Sequence, residues 1–244
     1  MRTTEVPVIA VASGKGGVGK TSVSVGLARS LTGAGLTVGL VDADLYGPDV
    51  PRMLGLRRDT PARWVPVTGS GGTDAVAVDG IQVASAGFLL GGTQGLAVGA
   101  GIAELLLRRL LTETRWRNPD LLVVDLPPGT ADILQAVLKS AARLTVVVVV
   151  TPAEVSHLDS GRLITVLRQL TVPILGGVEN MAHLACPCCG HPIELYPPAP
   201  AERTIWSLGV TKLATVPYRP SSQPTTDDLA GLAVAVRAQL SNGD

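Results

Sequence analysis

Residues Gly14 to Thr21 read GKGGVGKT, a complete G-x-x-x-x-G-K-[ST] phosphate-binding loop. Such a loop works only between a buried strand and the start of a helix. Both flanks fit. Val8 to Ala12 (VIAVA) is a short apolar run suited to a buried parallel strand. Thr21 to Leu31 places Val23, Leu27, Ala28 and Leu31 on one helical face, with Gly33 near its end. Gly14, Gly16, Gly17 and Gly19, with Val18 among them, let the backbone turn its N–H groups inward around a phosphate. Lys20 is placed to reach the β- and γ-phosphates, and the Thr21 hydroxyl to ligate Mg²⁺. A triphosphate would then lie at a helix N-terminus, where unpaired N–H groups and the macrodipole favour anions. A second lysine, Lys15, follows the first glycine directly.

The rest of the chain alternates apolar strand candidates with helical stretches. That pattern predicts an α/β fold: a mostly parallel sheet with helices on both faces, in three layers. Strands are expected at 37–41, 121–124, 145–150, 174–178 and 212–216. Helices are expected at 102–113, 133–142, 154–170, near Thr204 and at 227–240. Segments 75–78 and 81–84 flank Asp79-Gly80, a hairpin signal. Arg57 to Thr73 is rich in Arg, Pro and Gly and is expected as a surface excursion. The 244 residues are read as one domain, 1–244, with a cysteine-bearing loop at 182–200. With one Phe, three Tyr and three Trp in a 46% hydrophobic chain, the core must be aliphatic. Twenty basic and twenty acidic residues leave no net charge, so no extended nucleic-acid surface is expected. No apolar run is long enough to span a bilayer, and Leu144 to Val150 is only a strand's length. The chain is expected to be cytoplasmic, with neither nucleic acid nor membrane as a partner.

Ligands of open α/β sheets bind beyond the carboxyl ends of the strands. Asp42-Ala43-Asp44 follows the second predicted strand, and Asp125 follows LLVV. An aspartate after an apolar strand is the usual second metal-side carboxylate of a phosphate-loop enzyme. Asp125 is read as such a Mg²⁺ residue, whereas Asp42 and Asp44 are open to a second reading as turn caps. The three cysteines, Cys186, Cys188 and Cys189, all lie within four positions. Cys186 and Cys189 have the C-x-x-C spacing that lets two thiolates converge on one metal or cluster. A tetrathiolate site needs four sulfurs, so two chains about a twofold axis would complete it. Zinc held within one chain by the cysteines with His183 or His191 is an alternative, as are a redox pair and inert thiols.

GKGGVGKT is similar to the deviant phosphate loop of the MinD/ParA/nitrogenase-iron-protein class. That resemblance implies that Lys15 crosses a dimer interface to the partner's nucleotide. The strings GKGGVGKT, DADLYGPDVPRMLG, LLVVDLPPGT, VPILGGVENM and CPCCG together resemble the Mrp/ApbC family of iron–sulfur cluster carrier ATPases. The resemblance implies an ATP- and Mg²⁺-dependent ATPase that works as a homodimer and serves apo iron–sulfur proteins. It places Asp44 beside the attacking water, Asp42 near the metal and Lys15, and Asn180 at the adenine edge. Asn180 also reads as a turn residue after its strand. Cys186 and Cys189 would bridge a labile 4Fe–4S cluster between subunits. The chain departs from the family pattern at Gly95 to Gly101, at Gly129-Thr130-Ala131-Asp132 and at Leu195 to Pro200. A positioning ATPase of the MinD/ParA kind, travelling on membrane or DNA, is the competing expectation.

Overall fold

The computed structural model describes residues 3–45, 47–56, 73–88, 100–128, 131–220 and 223–241. Seven segments build the body of the sheet: β1 (Val8–Ala12), β2 (Val38–Asp42), β4 (Val76–Val78), β5 (Ile81–Ser85), β7 (Leu121–Asp125), β8 (Leu144–Val150) and β9 (Ile174–Ala185). Two more, β10 (Pro192–Ile193) and β11 (Lys212–Tyr218), both pair with β9. The order is β10-β9-β8-β1-β7-β2-β5-β4, with every pairing parallel except β4 with β5 and β10 with β9. A separate two-residue pair joins β3 (Thr73–Asp74) to β6 (Thr114–Arg115), an element the sequence reading did not anticipate.

Strand alternation sorts the core into two layers. Val8, Ala10, Leu122, Val124, Val146 and Val148 face one side. There they meet α3 (Ala100–Thr112), α4 (Ala131–Ser140) and α5 (Glu154–Gln169) through Leu107, Leu110, Leu134, Val137, Ile164 and Leu167. Ile9, Val11, Leu121, Val123, Val147 and Val149 face the other side. That side is covered by α1 (Lys20–Gly33), the short α2 (Val50–Met53) and α6 (Ala230–Ser241). Both faces of the central strands are dry, which explains their unbroken apolar runs.

The hairpin expected at Asp79-Gly80 is present: β4 and β5 are antiparallel, and φ is 50° at Asp79 and 79° at Gly80. Positive φ at both central residues is the turn that follows the natural twist of the strands. Three expectations need correction. The strand at 174–178 continues to Ala185, with Asn180 inside it, and its backbone turns one residue later, at Met181, where φ is 55°. The helix near Thr204 is instead two 3₁₀ turns, Ala201–Arg203 and Ile205–Leu208, hemmed between Pro200 and the left-handed Gly209. The closing helix begins as a 3₁₀ turn at Asp227–Leu229 before α6 proper. The excursion expected at Arg57 to Thr73 falls, but for Thr73, outside the described residues, as do most of Gly95 to Gly101 and Gly129-Thr130.

Leu122 lies at the centre of the sheet, fully buried. Leu122→Ala should lower the unfolding free energy by about 2–5 kcal/mol, measured by urea denaturation.

Candidate nucleotide and thiol site

The carboxyl edge of the sheet carries a row of aligned groups. Asp42 on β2 stands in register with Ser85 on β5 and with Asp125 on β7, which in turn aligns with Val11 on β1. The phosphate loop leaves β1 at this level and enters α1, so the loop and the carboxylates share one end of the molecule.

Two glycines of the loop are sterically obligatory. A Cβ on Gly14 would come within 2.2 Å of the Asp159 backbone in α5, and the Gly14 N–H donates to Ser160 Oγ at 3.2 Å. Gly19 has φ of 85°, and a Cβ there would meet Asn180 Nδ2 at 2.2 Å. Gly17 is also left-handed, at φ 76°, and nothing lies within 4 Å of where its Cβ would be. Gly16 meets only an ordinary contact with Pro128. Val18 is buried, and its carbonyl accepts a hydrogen bond from Asn180 Nδ2 at 2.8 Å. Lys15 is exposed, and its carbonyl accepts from Ser13 Oγ at 2.6 Å.

Behind the loop, Asp125 is 1% exposed. Ser24 Oγ donates to its Oδ1 at 2.9 Å and the Thr21 hydroxyl donates to the same carboxylate. Burial pushes its pKa up to about 6, despite those two hydroxyls and the Lys20 charge, which pull it down. Lys20 is shifted below its ordinary value by its own burial, against the attraction of Asp125 and Asp44. Asp42, wholly buried, is pushed well up by burial and by the neighbouring charge of Asp125. It accepts from Ser85 Oγ at 2.9 Å and from the N–H groups of Asp44 and Val50 at 3.2 and 3.3 Å. These bonds fold the β2–α2 connection. The turn-capping geometry weighed for Asp42 is therefore present. Asp44 is half-buried and accepts from the Gly47 N–H at 3.1 Å, across the same connection.

The donor set fits a magnesium nucleotide. Thr21 and Asp125 already touch, and one hydroxyl with one carboxylate is the usual protein share of Mg²⁺ beside phosphates. Ser24, Ser85 and Ser160 were not singled out from sequence. Each is a small polar residue within an otherwise ordinary strand or helix, and only the tertiary register reveals its partner. A second cleft, of about 240 Å³, opens on the α5 side of the loop between Gly14, Leu126, Pro127 and Leu163. Its largely apolar lining does not suit phosphates.

The cysteines lie at the far end of β9. Cys186 follows its last residue, and β10 returns antiparallel, pairing Ile193 with Leu184 and Pro192 with Ala185. The Cys186 N–H donates to the His191 carbonyl at 2.9 Å, and the Gly190 N–H to the Cys186 carbonyl at 2.8 Å, with Gly190 at φ 75°. This tight knuckle aims the N–H groups of Cys188 and then Cys189 at the Cys186 sulfur, and they lower its pKa. Cys188 and Cys189 are exposed, and Cys186 is half-buried. Residues 187–189 form a turn, unlike a redox pair that opens a helix. Among the described residues no three His, Cys, Asp or Glu side chains converge to hold a metal within one chain.

This architecture defines a class, the phosphate-loop NTPases of MinD/ParA type. The chain overlays on MinD from Pyrococcus horikoshii bound to Mg-ADP with a TM-score of 0.60 at 19% identity, covering 96% of both chains, a likeness of fold. A nucleotide-binding protein from Archaeoglobus fulgidus in complex with ADP gives a TM-score of 0.71 at 31% identity, covering 93% of this chain and 86% of the other. Within the class, a family profile described as ParA: NUBPL iron-transfer P-loop NTPase matches residues 5–241, and the chain belongs to that family. An iron-sulfur cluster carrier protein of Haemophilus influenzae is 38% identical over 210 residues, 86% of this chain and 56% of the relative. One from Pyrococcus horikoshii is 33% identical over 229 residues, 90% of this chain and 76% of the relative. The chain thus spans little more than half the Haemophilus protein's length. No helix among the described residues is long and apolar enough to cross a membrane.

Because the folded form holds the Asp125 proton more tightly than the unfolded chain, this group's stabilisation is complete below about pH 3.8 and is lost as pH rises through about 6. Nucleotide-free Asp125→Asn should therefore be more stable than wild type at about pH 8, by on the order of 2–3 kcal/mol. That advantage should vanish near pH 4 in urea titrations run at both pH values; a gap independent of pH would contradict it.

Proposed function

We propose that the protein is an ATP-hydrolysing iron–sulfur cluster carrier. The nucleotide loop would drive a homodimer, and the C-x-x-C knuckles of two chains would together hold a labile 4Fe–4S cluster as cargo for apo iron–sulfur proteins. The observation that carries this reading is the knuckle itself: a C-x-x-C pair on a tight turn, Cys189 exposed and Cys186 half-buried, its first sulfur biased toward thiolate by two backbone N–H groups. One chain offers half a tetrathiolate set, and family membership supports iron as the metal.

In this reading Lys20 and the loop N–H groups hold the β- and γ-phosphates, while Thr21 and Asp125 hold Mg²⁺, with Asp42 supporting that side. Asp44 orients the attacking water. Its oxygen bonds to the γ-phosphorus as the bond to the β–γ bridging oxygen breaks, releasing ADP and phosphate. Lys15, exposed on the loop, reaches the partner's nucleotide and steadies the charge that develops there. Asn180 on β9 steadies Val18 from beneath the loop, and in this reading it would also meet the adenine edge. The cytoplasm, where thiols stay reduced, is the compartment that suits these cysteines.

A positioning ATPase needs a surface to ride on, and the closing helix α6 is turned toward the protein's own core. Its apolar residues Leu232, Ala233 and Val236 are buried in the core beside α1 and β11. Anaerobic reconstitution with iron and sulfide tests the carrier reading. Cysteine-dependent visible absorption should appear in wild type, vanish in Cys186→Ala and Cys189→Ala, and persist in Cys188→Ala. The loaded species should have the mass of a dimer, and colourless wild type would refute the assignment. Lys20→Ala should abolish phosphate release while keeping the absorption, because the loop and the thiols are separate sites.

A further inference from the structure

From the contacts of α5 we infer that its N-terminal half is a positioning element shared by the phosphate loop and the cysteine arm, so that nucleotide occupancy is felt at the thiols through a backbone strap. The inference deepens the carrier reading and rests on it. One end of the link is the loop. Gly14 lies so close to the Asp159 backbone that no Cβ fits between them, and its N–H bonds to Ser160 Oγ, which is fully buried. A shift of the loop around phosphates must move α5 or break that bond, because packed interiors deform little.

The other end is the stretch that leaves the knuckle. Pro198 bridges Ala153 in antiparallel fashion, and the Ala199 N–H donates to the Pro152 carbonyl at 3.0 Å. Arg203 pairs with Glu154, and the Ile205 N–H donates to His157 Nδ1 at 3.2 Å. His157 is itself buried, with its ring edge against Trp206. Within seven residues, Ala153 to Asp159, one helix start therefore grips the arm on one side and abuts Gly14 on the other. A second route runs along β9, whose Asn180 bonds to the Val18 carbonyl of the loop; there the backbone turns at Met181 and the ladder with β11 shifts register between Val216 and Tyr218, so variants of the strap alone separate the two routes. Pro197, Pro198 and Pro200 stiffen the strap, since each fixes its own φ.

All three cysteines of the chain lie in the arm, so the rate of thiol alkylation reports on that arm alone. The experiment measures this rate on metal-free protein with and without a non-hydrolysable ATP analogue and Mg²⁺. In wild type the analogue should slow alkylation by roughly fivefold or more, the low end for coupled sites. Ala199→Pro deletes the strap's N–H where the chain already precedes a proline, and should bring the ratio close to one with analogue affinity kept. The double variant Glu154→Ala/Arg203→Ala, which leaves the backbone intact, should lower the ratio and stands in should Ala199→Pro not fold. No nucleotide effect in wild type would overturn the inference. So would an undiminished effect in the variants, because pairing of two chains would then shield the thiols without the strap. Neither result depends on cluster loading, so failure of the carrier reading, seen as missing absorption, is a separate outcome.

Discussion

Two carboxylates buried side by side on adjacent strands set the terms for everything at the carboxyl edge. Asp42 and Asp125 share a register position in the sheet, both dry; burial makes each costly to ionise, and the charge of Asp125 adds to the cost at Asp42. The surroundings offset this unequally. Asp42 receives three hydrogen bonds from its own strand-edge neighbours, whereas Asp125 faces Thr21, Ser24 and the ammonium of Lys20. The first arrangement fixes a loop. The second leaves a carboxylate and a hydroxyl together beside a phosphate loop, a place where a divalent cation would be welcome.

Placement of the loop follows from packing as much as from glycine. Gly14 and Gly19 are the positions at which a side chain would strike α5 or Asn180, so the motif's spacing reflects the helix and strand that close over it. Asn180, one of several polar residues along β9, serves that closure from below.

The sequence made the architecture legible where one physical signal dominated. Central strands buried on both faces appear as Val- and Leu-rich runs, and the hairpin at Asp79-Gly80 announces itself by residues tolerant of positive φ. It failed on β9, where Glu179, Asn180 and His183 interrupt the apolar pattern although pairing with β11 and β10 carries the strand onward. The segment from Ala201 also looked helical, but prolines before it and Gly209 after it leave room only for 3₁₀ turns. Of the site, the loop, Asp125 and the cysteine pair were readable as motifs. Ser24, Ser85 and Ser160 were not, because their meaning lies in partners 40 to 150 positions away, roughly the separations of these hydrogen bonds.

The knuckle sits on a two-residue ladder beyond both hydrophobic layers, joined to the body by backbone contacts and exposed side chains. Little folding energy is invested in its tip. Substitutions there should consequently cost little in stability, while the nucleotide loop and the sheet beneath stay the same. A scaffold partitioned in this way lets the chemistry of its tip change without rebuilding the sheet that holds the phosphate loop.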